Sequence, residues 1–126
     1  MAANEDLIDY LQSRAGRSLR AVGRYDEEGC QLIYRRDDLP REVAQERLEA
    51  LRTNLTWEWN PPKTPALEEL GGEQASLQIR EQTVILHLPV EADHGILIGL
   101  EPGAARDLTS FMTDCMQHVD GIDAPA

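Results

Sequence analysis

Glu73-Gln-Ala-Ser-Leu-Gln-Ile-Arg-Glu-Gln-Thr-Val-Ile-Leu-His-Leu-Pro-Val-Glu-Ala-Asp-His-Gly-Ile-Leu-Ile-Gly-Leu100 is the stretch whose reading decides the fold. Ala75, Leu77 and Ile79 alternate with polar residues, which predicts a strand with one buried face. Thr83 to Leu88 and Ile96 to Leu100 are apolar at nearly every position, which predicts inner strands covered on both faces. Polar breaks at Arg80-Glu81-Gln82 and between Glu91 and Gly95 cut the stretch into a three-stranded antiparallel meander, against which helices must pack.

Upstream of the meander, Asn4 is expected to cap a helix with Glu5 and Asp6 in its first turn and Leu7, Ile8, Leu11 and Ala15 on its apolar face, ended by Gly16. Ser18 to Tyr25 and Cys30 to Arg35 alternate with period two. Leu19, Ala21, Gly23 and Tyr25 are expected on one face of the first strand, and Cys30, Leu32 and Tyr34 on one face of the second. Asp26-Glu27-Glu28-Gly29 reads as the hairpin loop between them, with Gly29 in the left-handed conformation. Asp38 as cap and Pro40 in the first turn open a helix with Ala44, Leu48, Leu51 and Leu55 on its buried side, running to about Thr56. A proline- and glycine-rich connection over 57–72 follows, with a short helical turn at Ala66 to Leu70.

Downstream, Glu101-Pro102-Gly103 opens a last helix striped by Leu108, Phe111, Met112, Cys115 and Val119. The expectation is an α+β fold in a single domain over 1–126, with frayed ends at 1–3 and 121–126. One five-stranded antiparallel sheet with helices on its faces satisfies the order α-β-β-α-β-β-β-α. A chain of this length buries roughly two-thirds of its unfolded surface, enough for a core without staples.

Twenty-three acidic residues against twelve basic ones give a formal net charge of -11, and Lys63 is the only lysine. An acidic, lysine-poor surface points to a cytoplasm at molar salt, where the Debye length falls to about 3 Å. Binding to nucleic-acid phosphates is disfavoured, because that attraction needs positive surface and weakens with salt. No apolar run is long enough to span a bilayer and the N-terminus lacks a signal-peptide pattern, so no membrane contact and a cytoplasmic location are expected. Cys30 and Cys115, the only cysteines, read as reduced buried thiols.

Leu7-Ile-Asp-Tyr-Leu11, Ser18-Leu-Arg-Ala-Val-Gly-Arg-Tyr25, Tyr34-Arg-Arg-Asp-Asp-Leu39, Val84-Ile-Leu-His-Leu-Pro89 and Leu97-Ile-Gly-Leu-Glu-Pro102 resemble a family of small acidic haloarchaeal proteins of unknown function, often labelled HTR-like. The likeness covers nearly the whole chain and implies a halophilic cytoplasm and no assigned activity. The element order also resembles that of the roadblock/LC7 domain, a relative of profilin-like sensor domains. That resemblance implies non-enzymatic dimers that scaffold or regulate partners.

Six of the twelve bases lie between Arg14 and Arg36, and no acidic residue stands between Tyr10 and Tyr25. Arg20, Arg24 and Arg35 are therefore candidate contacts for an anion or an acidic partner. The ordinary alternative is pairing with Asp26, Glu27, Glu28, Asp37 and Asp38. Trp57 and Trp59 cannot share a helix face at i, i+2 spacing, which makes them candidate interface anchors or a cover for an open part of the sheet. His87 and His94 flank a turn beside Glu91 and Asp93, but a metal site needs three or four converging ligands and the spacing fixes none; no metal and no cofactor are expected. His118 reads as a favourable charge near a helix end. No phosphate loop, nucleophile elbow or cysteine-histidine pairing appears. The expected function is a non-enzymatic adaptor or regulatory interaction domain, a homodimer with a protein partner; the alternative is a sensor-like domain binding a small anion near the arginines.

Overall fold

The computed structural model describes residues 2–58, 65–71, 75–91 and 94–106. The chain runs α1 (Ala2–Ala15), a 3-10 turn (Gly16–Ser18), β1 (Leu19–Tyr25), β2 (Cys30–Arg35), α2 (Arg41–Glu58), α3 (Pro65–Leu70), β3 (Ser76–Ile79), β4 (Val84–Glu91), β5 (His94–Leu100) and a 3-10 turn (Pro102–Ala105). The last helix, with Leu108, Phe111, Met112, Cys115, His118 and Val119, and the tail from Gly121 lie outside the described residues, as do Met1 and Trp59.

The five strands form one sheet in the order β2-β1-β5-β4-β3, every neighbouring pair antiparallel. The meander of β3, β4 and β5 is present, and β4 and β5 are both inner strands. The sheet is completed by β5 pairing with β1, Val22 opposite Ile98 and Gly23 opposite Leu97. Thus the two stretches that the sequence separates by a helix and a long connection become adjacent ribbons.

Each inner strand sends alternate residues to two different helices. On one face Leu19, Val22 and Ile98 are buried with Leu7, Ile8, Leu11 and Ala15 of α1 packed on them. On the other face Leu48 of α2 sits on Ile85 and Leu97, flanked by Tyr25, Cys30, Leu32 and Leu51. Buried aliphatic side chains of this kind each contribute about 1.5–3 kcal/mol relative to exposure, and α1 and α2 are helices chiefly because this burial rewards their apolar stripes. Gly23 lies directly beneath Leu48, where an added Cβ would collide with both Leu48 methyl groups. Glycine there lets α2 approach the strand.

Several local expectations change for identifiable reasons. Leu19 does not share a face with Ala21 and Gly23, because the β1–β5 register shifts between Leu19 and Ala21. A bulge at that point turns Leu19 toward α1 and resets the alternation. Asn4 lies inside α1, which begins two residues earlier at Ala2. Gly29 has a positive φ, 158°, in the range that favours glycine, but that alone does not close the loop. The hairpin is closed instead by Asp26, whose Oδ1 accepts from the backbone N–H groups of Glu28 at 2.8 Å and Gly29 at 3.1 Å. Asp38 does not cap α2: Arg36 takes both of its carboxylate oxygens, at 2.5 and 3.0 Å, and Pro40 precedes the helix, its carbonyl accepting from Ala44 N–H at 3.0 Å. Finally α2 continues through Trp57 to Glu58, two residues past the expected stop at Thr56. Gly16 does end α1, in the left-handed region at φ 56°. No helix among the described residues is long and apolar enough to cross a membrane.

Candidate functional site

The bulge in β1 has a consequence for charge. It places Arg20 beside Ala21 on the side of the sheet that α2 covers, where both line a cleft between α2 and the strands. Arg20 donates from Nη1 to the Gln82 carbonyl at 2.6 Å and from Nη2 to Glu101 Oε2 at 2.9 Å. Arg36, just past the end of β2, donates from Nη1 to the other Glu101 oxygen at 2.7 Å and to the Arg17 carbonyl at 2.6 Å. Glu101 therefore bridges two arginines, and Arg36 in turn holds Asp38. Hydrogen bonds from Arg36 and then Arg20 hold the Glu101 carboxyl below its ordinary range, and the Arg36 hydrogen bond does the same for Asp38. Those two carboxylates raise the Arg36 guanidinium in return.

The cleft has a volume of about 610 Å³. Its lining is aliphatic: Leu32, Leu39 and Leu51 are half-buried, while the core residues Leu48, Ile85 and Leu97 reach it with at most 5% of their surface exposed. Its rim carries Arg20, Arg36, Arg47 and Arg80 against one carboxylate among the described lining residues, Asp38. Arg47 comes from the exposed side of α2, and Arg80 from the turn between β3 and β4, where it donates to Gln78 Oε1 at 3.1 and 3.3 Å.

The arginines singled out by sequence are not brought together. Arg20 lines the cleft, whereas Arg35 is spent on the loop before α2, donating to the Leu39 carbonyl at 3.1 Å. Arg24 is exposed at the far end of β1, in a second recess with Asp26, Glu28 and His94. Trp57 falls in the last turn of α2 with its side chain outside the described residues, and Trp59 lies outside them altogether. Arg47 and Arg80 went unnoticed in the sequence because one looks like an ordinary solvated helix position and the other like an ordinary turn residue. The only signal was that Arg47 directly precedes the buried Leu48.

His87 and His94 lie on opposite faces. His87 stands opposite Leu97 on the α2 face and is 1% exposed, whereas His94 is in step with Ile96 on the α1 face. His87 Nε2 and the Tyr25 hydroxyl share a hydrogen bond of 2.5 Å, its direction set by the imidazole tautomer. Tyr25 reaches across β5 to make it, passing over Gly95, where a Cβ would come within 2.8 Å of the hydroxyl. No group of three or more metal-ligating side chains converges among the described residues.

The model of a family described as a domain of unknown function, DUF7522, matches residues 5–120. The chain belongs to that family. No curated protein matches the sequence. The matched span contains both faces of this DUF7522 sheet and every arginine of the cleft. Chemically, the DUF7522 cleft offers fixed positive charge and an apolar floor. A guanidinium offers five N–H donors and no acceptor, so these rim cations can attract and orient an anion. Cys30, on the same face, has its thiol pushed up by burial, and its Sγ lies 3.8 Å from the Leu48 carbonyl, as suits a packed thiol rather than a nucleophile.

Proposed function

We propose that this chain is a non-enzymatic adaptor or regulatory interaction domain that works as a homodimer in a high-salt cytoplasm. One observation carries the reading: the sheet ends on β3, whose outer edge pairs with no described strand. Edge strands are usually guarded by charge, proline or a bulge. At the other edge β2 is bulged against β1 and ends in Arg35. Ser76-Leu77-Gln78-Ile79 carries none of these guards, and Ile79 is 37% exposed. Leu70 of α3, 81% exposed, adds a second apolar group in the approach to this strand. Pairing β3 with β3 of a second copy would continue the sheet and cover it. The likeness of element order to roadblock/LC7 domains, and of sequence to haloarchaeal HTR-like proteins, supports the same reading. Sedimentation of the full chain in molar potassium chloride tests it: a dimer is expected, converted to monomer by Ile79→Asp. A wild-type monomer at micromolar concentration removes the basis of the proposal.

A second reading, a sensor of a small anion, is favoured by the arginine rim of the cleft. Its site moves from Arg20, Arg24 and Arg35 to Arg20, Arg36, Arg47 and Arg80.

A further inference from the structure

A chain of net charge -11 has collected four of its twelve bases around one cleft whose described lining residues include a single acidic side chain. That acid is committed: Asp38 is held by Arg36, while Arg36 and Arg20 share Glu101. Two cations remain for an incoming group. Among the described residues the Arg80 guanidinium donates to the neutral Gln78 amide oxygen and forms no ion pair, and Arg47 is exposed and forms none either. They come from two separate elements, α2 and the β3–β4 turn, and line the same cleft, whose low-dielectric side chains concentrate their field.

The shape of the floor narrows the occupant. Its side chains are aliphatic, with no aromatic ring among the described lining residues, so the cleft suits a saturated body rather than a stacked ring. The volume of about 610 Å³ falls in the range of small-molecule sites, about 300–1,000 Å³. Guanidinium forks match a carboxylate with paired hydrogen bonds that survive salt better than long-range attraction does. We propose that this cleft binds an aliphatic monocarboxylate, its head clasped between Arg47 and Arg80 and its chain laid along the half-buried Leu32, Leu39 and Leu51. The inference rests on the sensor reading and is independent of the β3 dimer.

Titration of the full chain with octanoate in molar potassium chloride, followed by calorimetry and by amide chemical shifts, tests it. Saturable one-to-one binding is expected, with the largest shifts at Ala21, Ile85, Leu97 and Gly99. Octanamide, which keeps the chain length and loses the charge, should bind about tenfold more weakly, as should octanoate to Arg47→Gln or Arg80→Gln; tenfold is the loss of one charge-assisted pair. Arg24→Gln removes the same charge outside the cleft and should bind like the wild type. Absence of saturable octanoate binding overturns the proposal. So does equal binding of octanamide, which would mark an apolar groove indifferent to charge, or an equal loss in Arg24→Gln, which would mark general electrostatics. Sedimentation of the same samples separates the two readings, since a monomer that still binds octanoate defeats only the dimer.

Discussion

The two faces of the sheet are built from the same strands yet put to different use. On the α1 face, Leu19 and Val22 are fully buried and Ile98 is 1% exposed, with side chains of β2, β4 and β5 joining them to α1 in one continuous apolar layer. The α2 face also has three residues in its buried cluster, but fewer partly buried side chains among the described residues pack against it, and it carries a histidine tied to a tyrosine and a cleft rimmed by arginines. The difference teaches that, among the described residues, a sheet covered by a helix on each face can fill one face more densely than the other. The other can keep space and charge, at the cost of contacts that an empty volume cannot supply.

Paired truncations should expose that asymmetry most strongly. Ile98→Ala is expected to cost about 4 kcal/mol and Ile85→Ala about 2 kcal/mol, because the first leaves a hole sealed by α1 while the second merges with an existing cleft. Denaturant unfolding in molar potassium chloride gives both values, and equal losses would mean the faces are equally packed. Next in size is the polar contact of the α2 face. Tyr25→Phe leaves His87 Nε2 without its hydroxyl partner in a buried site and should cost about 1–3 kcal/mol, whereas Tyr34→Phe, on the α1 face, should stay within about 0.5 kcal/mol.

The smallest effect concerns the rim. Glu101 and Asp38 have folded-state pKa values held below the ordinary carboxylate range by Arg36, with Arg20 assisting at Glu101. Their contribution is present above the unfolded value of about 4 and is lost as pH falls through the folded values. Denaturation midpoints should therefore drop as pH is lowered from about 5, and Glu101→Gln should make that drop shallower. An unchanged acid limb in the variant would show that the bridge contributes nothing to stability.

Much of this was legible in residue order because it depends on local periodicity. Val84 to Leu88 and Ile96 to Leu100 announce two-sided burial whatever their neighbours, and Gly16 announces a stop. The site was much less legible. Arg20 attracts notice as part of an arginine-rich segment, but a bulge of one residue decides which face receives it. Glu101 lies 81 positions away, so no spacing rule could join them. Arg24 and Arg35 belong to the same segment and are sent elsewhere by strand parity and by the Leu39 carbonyl.

What the sequence by itself determined is the described strands, the antiparallel meander, the acidic character, and the apolar stripes of α1 and α2, since each follows from neighbours within a few positions. Tertiary structure alone decided that β1 lies against β5, that Leu19 turns toward α1, and that Arg47 and Arg80 line one cleft. Those outcomes depend on strand register and on where a helix comes to rest, quantities set by contacts between segments far apart in the chain, on which local pattern carries no information.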